Sequence, residues 1–247
     1  MKIMNVVCII QARMGSTRLP GKVLMNICGK TVLEHDIDRL RKVNNINNIV
    51  IATTELDRDN AIVKEAKRLN VNAFRGSEDD VLSRYYFASK KFNADIIVRV
   101  TSDCPLIDSE VTQDIIQHFI DNYNNCDYVS NTVKRTYPRG LDTEVFSFKS
   151  LERAYIEATS DRDREHVTPY IWDNPQIFRI EQHINKEDLS GLRWTLDTRE
   201  DFELISRIYE YLYPTRLEQF NMEDIVELYN IDPILKGINI NIKQKDI

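Results

Sequence analysis

Short apolar runs recur through the first half of the chain, at residues 5–10, 48–53, 71–74, 95–101 and 127–130, and they constrain the fold more than any other feature. Between them lie stretches with helical patterning at about 31–43, 58–69, 79–91 and 109–122. In the last of these Val111, Ile115, Ile116, Phe119 and Ile120 fall on one helical face. Strand and helix alternating at this rhythm predict a mostly parallel sheet covered on both faces. After residue 131 the rhythm breaks. Helices are predicted at 148–158 and 161–173, strands at 177–182 and in "LRWTLDT", and closing helices at 199–212 and 222–229. From Lys236 the letters alternate Ile and Asn, which suits an edge strand or a frayed terminus.

With 247 residues and no internal repeat or low-complexity linker, the chain reads as one domain over 1–247. Its nucleotide-binding part is expected at about 1–131, an acceptor-binding and closing part at 132–230, and a tail at 231–247. No apolar run is long enough to span a bilayer, and the N-terminus lacks a signal-peptide layout, so a cytoplasmic protein with no membrane partner is expected. The four cysteines (Cys8, Cys28, Cys104, Cys126) are scattered, without the pairing of a zinc site or a disulfide framework; Cys8 and Cys126 read as core residues. A formal net charge of −6 argues against a nucleic-acid partner.

That acidic balance gives the loop after the first strand its meaning. In "IIQARMGSTRLPGKVL", Arg13, Arg18 and Lys22 fall within ten residues. In an acidic chain these are a local anion site rather than part of a basic surface. Gly15 and Gly21 allow close backbone approach to phosphate oxygens, the two arginines can each fork a pair of oxygens, and the lysine supplies a point charge. Two familiar phosphate loops do not match. The G-x-G-x-x-G pattern is absent, and in the near-mimic of a P-loop from Gly15 to Lys22 the glycines are one residue too far apart, with Val23 where a metal-binding hydroxyl belongs.

The whole of "QARMGSTRLPGK" closely resembles the loop of the cytidylyltransferases that activate acidic sugars, the CMP-Kdo and CMP-sialate synthetase superfamily. The blocks "FRGSEDDVLSRYY", "VRVTSDCPLID", "YPRGLDTEVFS", "REHVTPYI" and "RWTLDTREDFELI" look most like its SpsF-type spore coat polysaccharide branch. The resemblance covers about the first 215 residues. It implies a Rossmann-like, GT-A-type α/β nucleotidyltransferase fold. The implied activity is transfer of CMP from CTP to an acidic sugar or sugar-like acceptor for surface polysaccharide or glycan biosynthesis, with release of pyrophosphate. The preference for CTP comes from the resemblance, since no residue here reads the base. A homodimer is likewise implied by resemblance alone. The resemblance puts Gln11, Ala12, Arg13, Gly15, Ser16, Lys22, Arg75 and Ser77 on the nucleotide, with Arg13, Arg18 and Lys22 as the catalytic cations.

A triphosphate reaction of this kind normally uses Mg²⁺, bound by one or two carboxylates and by substrate oxygens. Asp103 follows a strand, at the edge where open α/β sheets bind ligands, while Asp108 or Ser109 is better placed to cap the next helix. Asp197 also ends a strand-like run, and Thr198 with Asp201 already forms the S/T-x-x-D/E capping pattern. The resemblance makes Asp103 and Asp197 the Mg²⁺ ligands. The acceptor is expected at Arg139, Asp142, Glu144, Arg164 and His166, although His166 and Arg164 also suit an ordinary helix face. Its attacking group, hydroxyl or phosphate, stays open. Two rival classes are a metal-dependent glycosyltransferase, for which "TSDCP" lacks the usual D-x-D, and a non-catalytic nucleotide-binding regulator, which would not need two metal-type aspartates.

Overall fold

The computed structural model describes residues 4–244. β1 (Val6–Gln11) enters a loop that leads into a short hairpin, β2 (Asn26–Ile27) and β3 (Lys30–Thr31), and then α1 (Val32–Leu40). There follow β4 (Asn48–Thr54), α2 (Asn60–Arg68), β5 (Asn72–Gly76), α3 (Val81–Lys91), β6 (Ile96–Thr101), α4 (Ser109–Asp121), β7 (Tyr128–Ser130) and β8 (Glu144–Ser147). The second half adds α5 (Phe148–Glu157), α6 (Asp161–His166), α7 (Pro169–Trp172), β9 (Ile180–Gln182), α8 (Arg199–Arg216), α9 (Met222–Ile231) and α10 (Leu235–Ile238).

The main sheet runs β5-β4-β1-β6-β8-β7-β9. β5, β4, β1 and β6 are mutually parallel, β8 is antiparallel to both β6 and β7, and β9 pairs parallel with β7. β1 lies between β4 and β6, and its residues Val6–Ile10 are all buried, as a central parallel strand requires. Its alternate residues feed two cores. Val6, Cys8 and Ile10 join α1, α4, α8 and α9 on one face, while Val7 and Ile9 join α3, α5 and α7 on the other. None of the helices among the described residues is long and apolar enough to cross a membrane.

Three expectations change in detail. The helix expected over 161–173 is two helices, because Val167 takes φ 74° and Pro169 opens the second. "LRWTLDT" is extended but joins no sheet. It docks between loops: Trp194 N–H donates to the Arg139 carbonyl (2.7 Å) and Leu196 N–H to the Asp103 carbonyl (2.7 Å). The tail forms α10 and a turn rather than an edge strand, with residues 245–247 outside the described part.

The docking of Trp194 requires Gly140. With φ 102°, a Cβ at this position would lie 2.6 Å from the Trp194 carbonyl carbon and 2.7 Å from its oxygen. Both contacts are backbone, so neither side can swing away. Gly140→Ala is expected to cost roughly 3 kcal/mol in a urea titration. A change below about 0.5 kcal/mol, the level of an ordinary surface substitution, would show that this approach is slack.

Candidate active site

The loop after β1 is held from below. Met14 N–H donates to Asp59 Oδ1 (2.7 Å), the other Asp59 oxygen accepts from the Thr54 hydroxyl, and Asp59 is fully buried. The Met14 carbonyl accepts from Ser16 N–H (3.0 Å) and Gly21 N–H (3.1 Å), closing the loop on itself. Gly21, at φ 72°, turns the chain so that Lys22 points inward at the start of a short 3₁₀ turn.

Lys22 is 8% exposed, and its Nζ donates to Asp103 Oδ2, Asp197 Oδ1 and the Leu196 carbonyl, each at 2.7 Å. Asp103 follows β6, and Asp197 precedes α8. The docking of 193–197 against the Asp103 loop is what brings residues so distant in sequence to one point. Burial would push the Lys22 ammonium down, but the two carboxylates outweigh it and hold its pKa above the ordinary lysine value. Burial pushes the Asp103 carboxyl up and the neighbouring ammonium pulls it down further, so it ends below the ordinary value. Arg18 Nη2 lies 2.7 Å from Asp197 Oδ2, and Arg193 Nη2 donates to the same oxygen at 3.1 Å.

Neither aspartate is a helix cap. Asp108 caps α4, accepting from Glu110 N–H (2.8 Å) and Val111 N–H (3.1 Å). Thr198 and Asp201 form the capping box of α8. Asp201 also takes two hydrogen bonds from Arg193 at 2.9 Å. Two carboxylates converging on one positive charge have the donor chemistry that Mg²⁺ takes from protein. Among the described residues no cluster of three or more His, Cys, Asp or Glu could hold an ion. An ion here would take its remaining ligands from substrate.

The three loop cations divide. Arg18 and Lys22 join the aspartates, whereas Arg13 Nη1 faces Glu78 Oε1 at 3.8 Å on the other side. Gln11 accepts from Arg99 Nη2 (3.2 Å), Ala12 is buried with its N–H on the Ala52 carbonyl (3.1 Å), and Ser16 Oγ accepts from Leu19 N–H (3.4 Å). The Arg75 guanidinium is spent inside the fold, on the Thr54 carbonyl (2.9 Å), the Leu56 carbonyl (2.9 Å) and Asn60 Oδ1 (2.6 Å). It braces the chain after β4. Ser77 is exposed, and its Oγ accepts from Asp80 N–H (3.0 Å).

The expected acceptor residues do not gather into one open cluster. Glu144 is 4% exposed and its carboxylate is consumed by Arg99, the Tyr128 hydroxyl (2.6 Å) and the Thr168 hydroxyl (2.6 Å). Asp142 forms a two-pronged pair with Arg135 (2.5 and 2.9 Å). Arg164 ties α6 to Asp80 and to the Tyr155 carbonyl (2.9 Å). Arg139 and His166 are half-buried, Arg139 in the segment that holds Trp194. Sequence reasoning missed Arg193, Asp59, Arg99 and Asp36. Arg193 carried a legible signal in its i,i+4 spacing to Asp197. Asp36 carried none. It is fully buried on α1 with neither carboxylate oxygen hydrogen-bonded, and burial, then the charge of Asp103, pushes it well above the ordinary carboxyl range.

A phosphate-type loop after the first strand and an aspartate pair at the carboxyl edge of a mostly parallel sheet define a nucleotidyltransferase. A family model described as cytidylyltransferase matches residues 7–245. The chain belongs to the cytidylyltransferase family and is a CTP-dependent nucleotidyltransferase. It is 33% identical over 213 residues to the spore coat polysaccharide biosynthesis protein SpsF of Bacillus subtilis, covering 83% of this chain and 87% of that one. A 3-deoxy-manno-octulosonate cytidylyltransferase of Trichlorobacter lovleyi is 32% identical over 121 residues, 48% of this chain and 46% of the relative. The solved structure of a cytidylyltransferase from Leptospira borgpetersenii superposes with a TM-score of 0.90 at 36% identity, covering 98% of this chain and all of that one.

Proposed function

We propose that the protein transfers CMP from CTP to an acidic sugar or related acceptor for a surface glycan. The observation that carries this reading is the convergence of Asp103 and Asp197 at 2.7 Å from one buried cation, beside a cationic loop at the carboxyl end of β1. Support for the acceptor class comes from the relatives named for spore coat polysaccharide and for a sugar acid.

An acceptor oxygen attacks the α-phosphorus, forming the new P–O bond as the bond to the pyrophosphate oxygen breaks. The protein's part is to position the reactants and stabilise charge. Asp103 and Asp197 would hold Mg²⁺, which offsets negative charge on the phosphates. Lys22 keeps the two carboxylates together in the absence of substrate. Arg18, 37% exposed on its side chain, is the cation of this half that reaches solvent and meets the incoming phosphates. Arg139 and His166, both half-buried, are assigned to the acceptor on their resemblance alone.

The test is a pyrophosphate-release screen of the four nucleoside triphosphates with Mg²⁺ against acidic sugars, sugar phosphates and polyol phosphates. CTP should support release with an acidic sugar. Release only with a phosphorylated acceptor would move the protein to a different acceptor class. In parallel, CTP should raise the melting temperature more than ATP, GTP or UTP at equal concentration. Binding to the native state at a hundredfold excess over Kd stabilises by about 2.7 kcal/mol. At roughly 2–4 °C per kcal/mol for a chain of this size, that is a shift of about 5–10 °C. Equal shifts with all four nucleotides would remove the preference for cytosine.

A further inference from the structure

The C-terminal segment folds back onto the start of α8. α10 packs on α8 with Leu235 in the core, and the turn after it carries Asn239. Asn239 is buried, and its Nδ2 donates to the Arg193 carbonyl (3.0 Å) and to Asp201 Oδ1 (2.9 Å). Arg193 Nε and Nη2 grip the two oxygens of Asp201, each at 2.9 Å, and Nη1 donates to Gln244 Oε1 at 2.5 Å. Nη2 also reaches Asp197 Oδ2 (3.1 Å), while Asp197 N–H donates to Asp201 Oδ2 (3.0 Å). Asp197 is therefore held at both its backbone and its side chain. Asp201 is fully buried; burial pushes its carboxyl up, but the hydrogen bonds from Arg193 and Asn239 pull it further down, so it ends below the ordinary value. A helix cap does not require this much. The capping box of α8 needs only the Thr198 hydroxyl and the Asp201 carboxylate. Arg193, Asn239 and Gln244 are additional to it.

We propose that the C-terminal segment is part of the catalytic apparatus: Asn239 and Gln244 fix the Arg193–Asp201 pair, and that pair orients Asp197 toward the metal. All four are positioning residues, acting through Asp197. The charge balance explains the arrangement. A guanidinium paired with Asp197 alone would neutralise it and compete with a divalent cation. Gripped by Asp201 in a two-pronged pair, Arg193 has its charge offset and gives Asp197 direction through a single longer contact. Asp197 Oδ1 stays turned to the point it shares with Asp103 Oδ2, each 2.7 Å from Lys22 Nζ. Groups that hold a metal ligand in place commonly matter almost as much as the ligand. This inference rests on the reading of Asp103 and Asp197 as the Mg²⁺ ligands, which it deepens by giving the C-terminal segment a role at that site.

The test titrates Mn²⁺, followed by electron paramagnetic resonance, into the wild type, R193K and the double variant N239A/Q244A, each premixed with CTP. CTP binding without metal, in EDTA, is measured on the same three proteins by calorimetry. R193K keeps the charge but not the planar fork that spans Asp201 and Asp197. N239A/Q244A leaves Arg193 and both metal aspartates in place. The half-saturating Mn²⁺ concentration should rise about 10- to 100-fold in each variant, the usual loss when a group supporting a metal ligand is removed. CTP binding in EDTA should stay within about twofold of the wild type, since the metal aspartates do not act there. Variants that melt lower yet take up Mn²⁺ like the wild type would make the segment a packing element, which overturns the proposal and leaves the nucleotide reading standing. Equal weakening of CTP in EDTA would mean general loosening and overturns it too. A wild type that holds Mn²⁺ no better than CTP alone does sinks the metal reading and this proposal together. If R193K does not fold, N239A/Q244A decides.

Discussion

Asp103→Asn and Asp197→Asn should each lose about 99% of turnover or more while remaining folded. Asparagine keeps the shape of aspartate and one acceptor oxygen for Lys22, but not the negative charge that Mg²⁺, a hard cation favouring carboxylate oxygen, requires. The expected kinetic loss is about 3–4 kcal/mol, a hundred- to a thousandfold, the size seen when one preorganised group at a developing charge is removed. The stability cost is smaller. Lys22 retains the other aspartate and the Leu196 carbonyl at 2.7 Å, so at Asp103 one charged hydrogen bond weakens, at about 1–3 kcal/mol, while at Asp197 the contacts from Arg18 and Arg193 weaken as well. Raised Mg²⁺ or Mn²⁺ should return part of the activity, and Asp→Ala should return less. Pyrophosphate release measured against metal concentration, with melting curves on the same samples, checks both statements. Full activity in both asparagine variants would show that these carboxylates serve only Lys22.

The parts of this site that were legible in sequence share a physical reason. Asp103 and Asp197 follow extended runs, and the cap of each following helix was accounted for by neighbours: Asp108 on α4, Thr198 with Asp201 on α8. A carboxylate left over after local needs are met stands out. The sheet was legible through β6 because buried parallel strands are continuous apolar runs. Beyond that, β8 enters antiparallel between β6 and β7, and nothing in a four-residue strand announces its neighbours. The division of the loop cations was invisible for a related reason. Arg13, Arg18 and Lys22 are close in sequence, but Glu78 and Asp197, which separate them, arrive by long-range folding. Glu144 and Arg75 were read as binding residues from resemblance and position, whereas both make buried or internal contacts that only a three-dimensional inventory reveals.

Lys22→Met turns that inventory into a pH-dependent expectation. In the wild type the ammonium stands between two carboxylates, and the folded-state pKa of Asp103 is depressed. Its contribution to stability is present above the unfolded carboxyl pKa of about 3.9 and is lost as pH falls through the lower folded value. Methionine fills similar volume but leaves Asp103 and Asp197 facing each other without the central charge. Like charges in one site raise the pKa of one carboxyl above its unfolded value. The sign then reverses: protonation stabilises the variant below the unfolded pKa, and that stability is lost as pH rises through the raised folded pKa. The difference in melting temperature between the wild type and Lys22→Met should therefore be small near pH 4 and widen toward pH 7. At neutral pH, breaking a buried charged set costs about 3–5 kcal/mol, or roughly 6–20 °C at about 2–4 °C per kcal/mol. Mg²⁺ supplies the missing charge and should raise the melting temperature of the variant more than that of the wild type. Turnover should fall by about 3–4 kcal/mol, a hundred- to a thousandfold. Melting curves across pH with and without Mg²⁺ read all of this. A stability gap that is flat from pH 4 to 7, or a variant no more responsive to Mg²⁺ than the wild type, would show that the lysine is not what holds the two aspartates together.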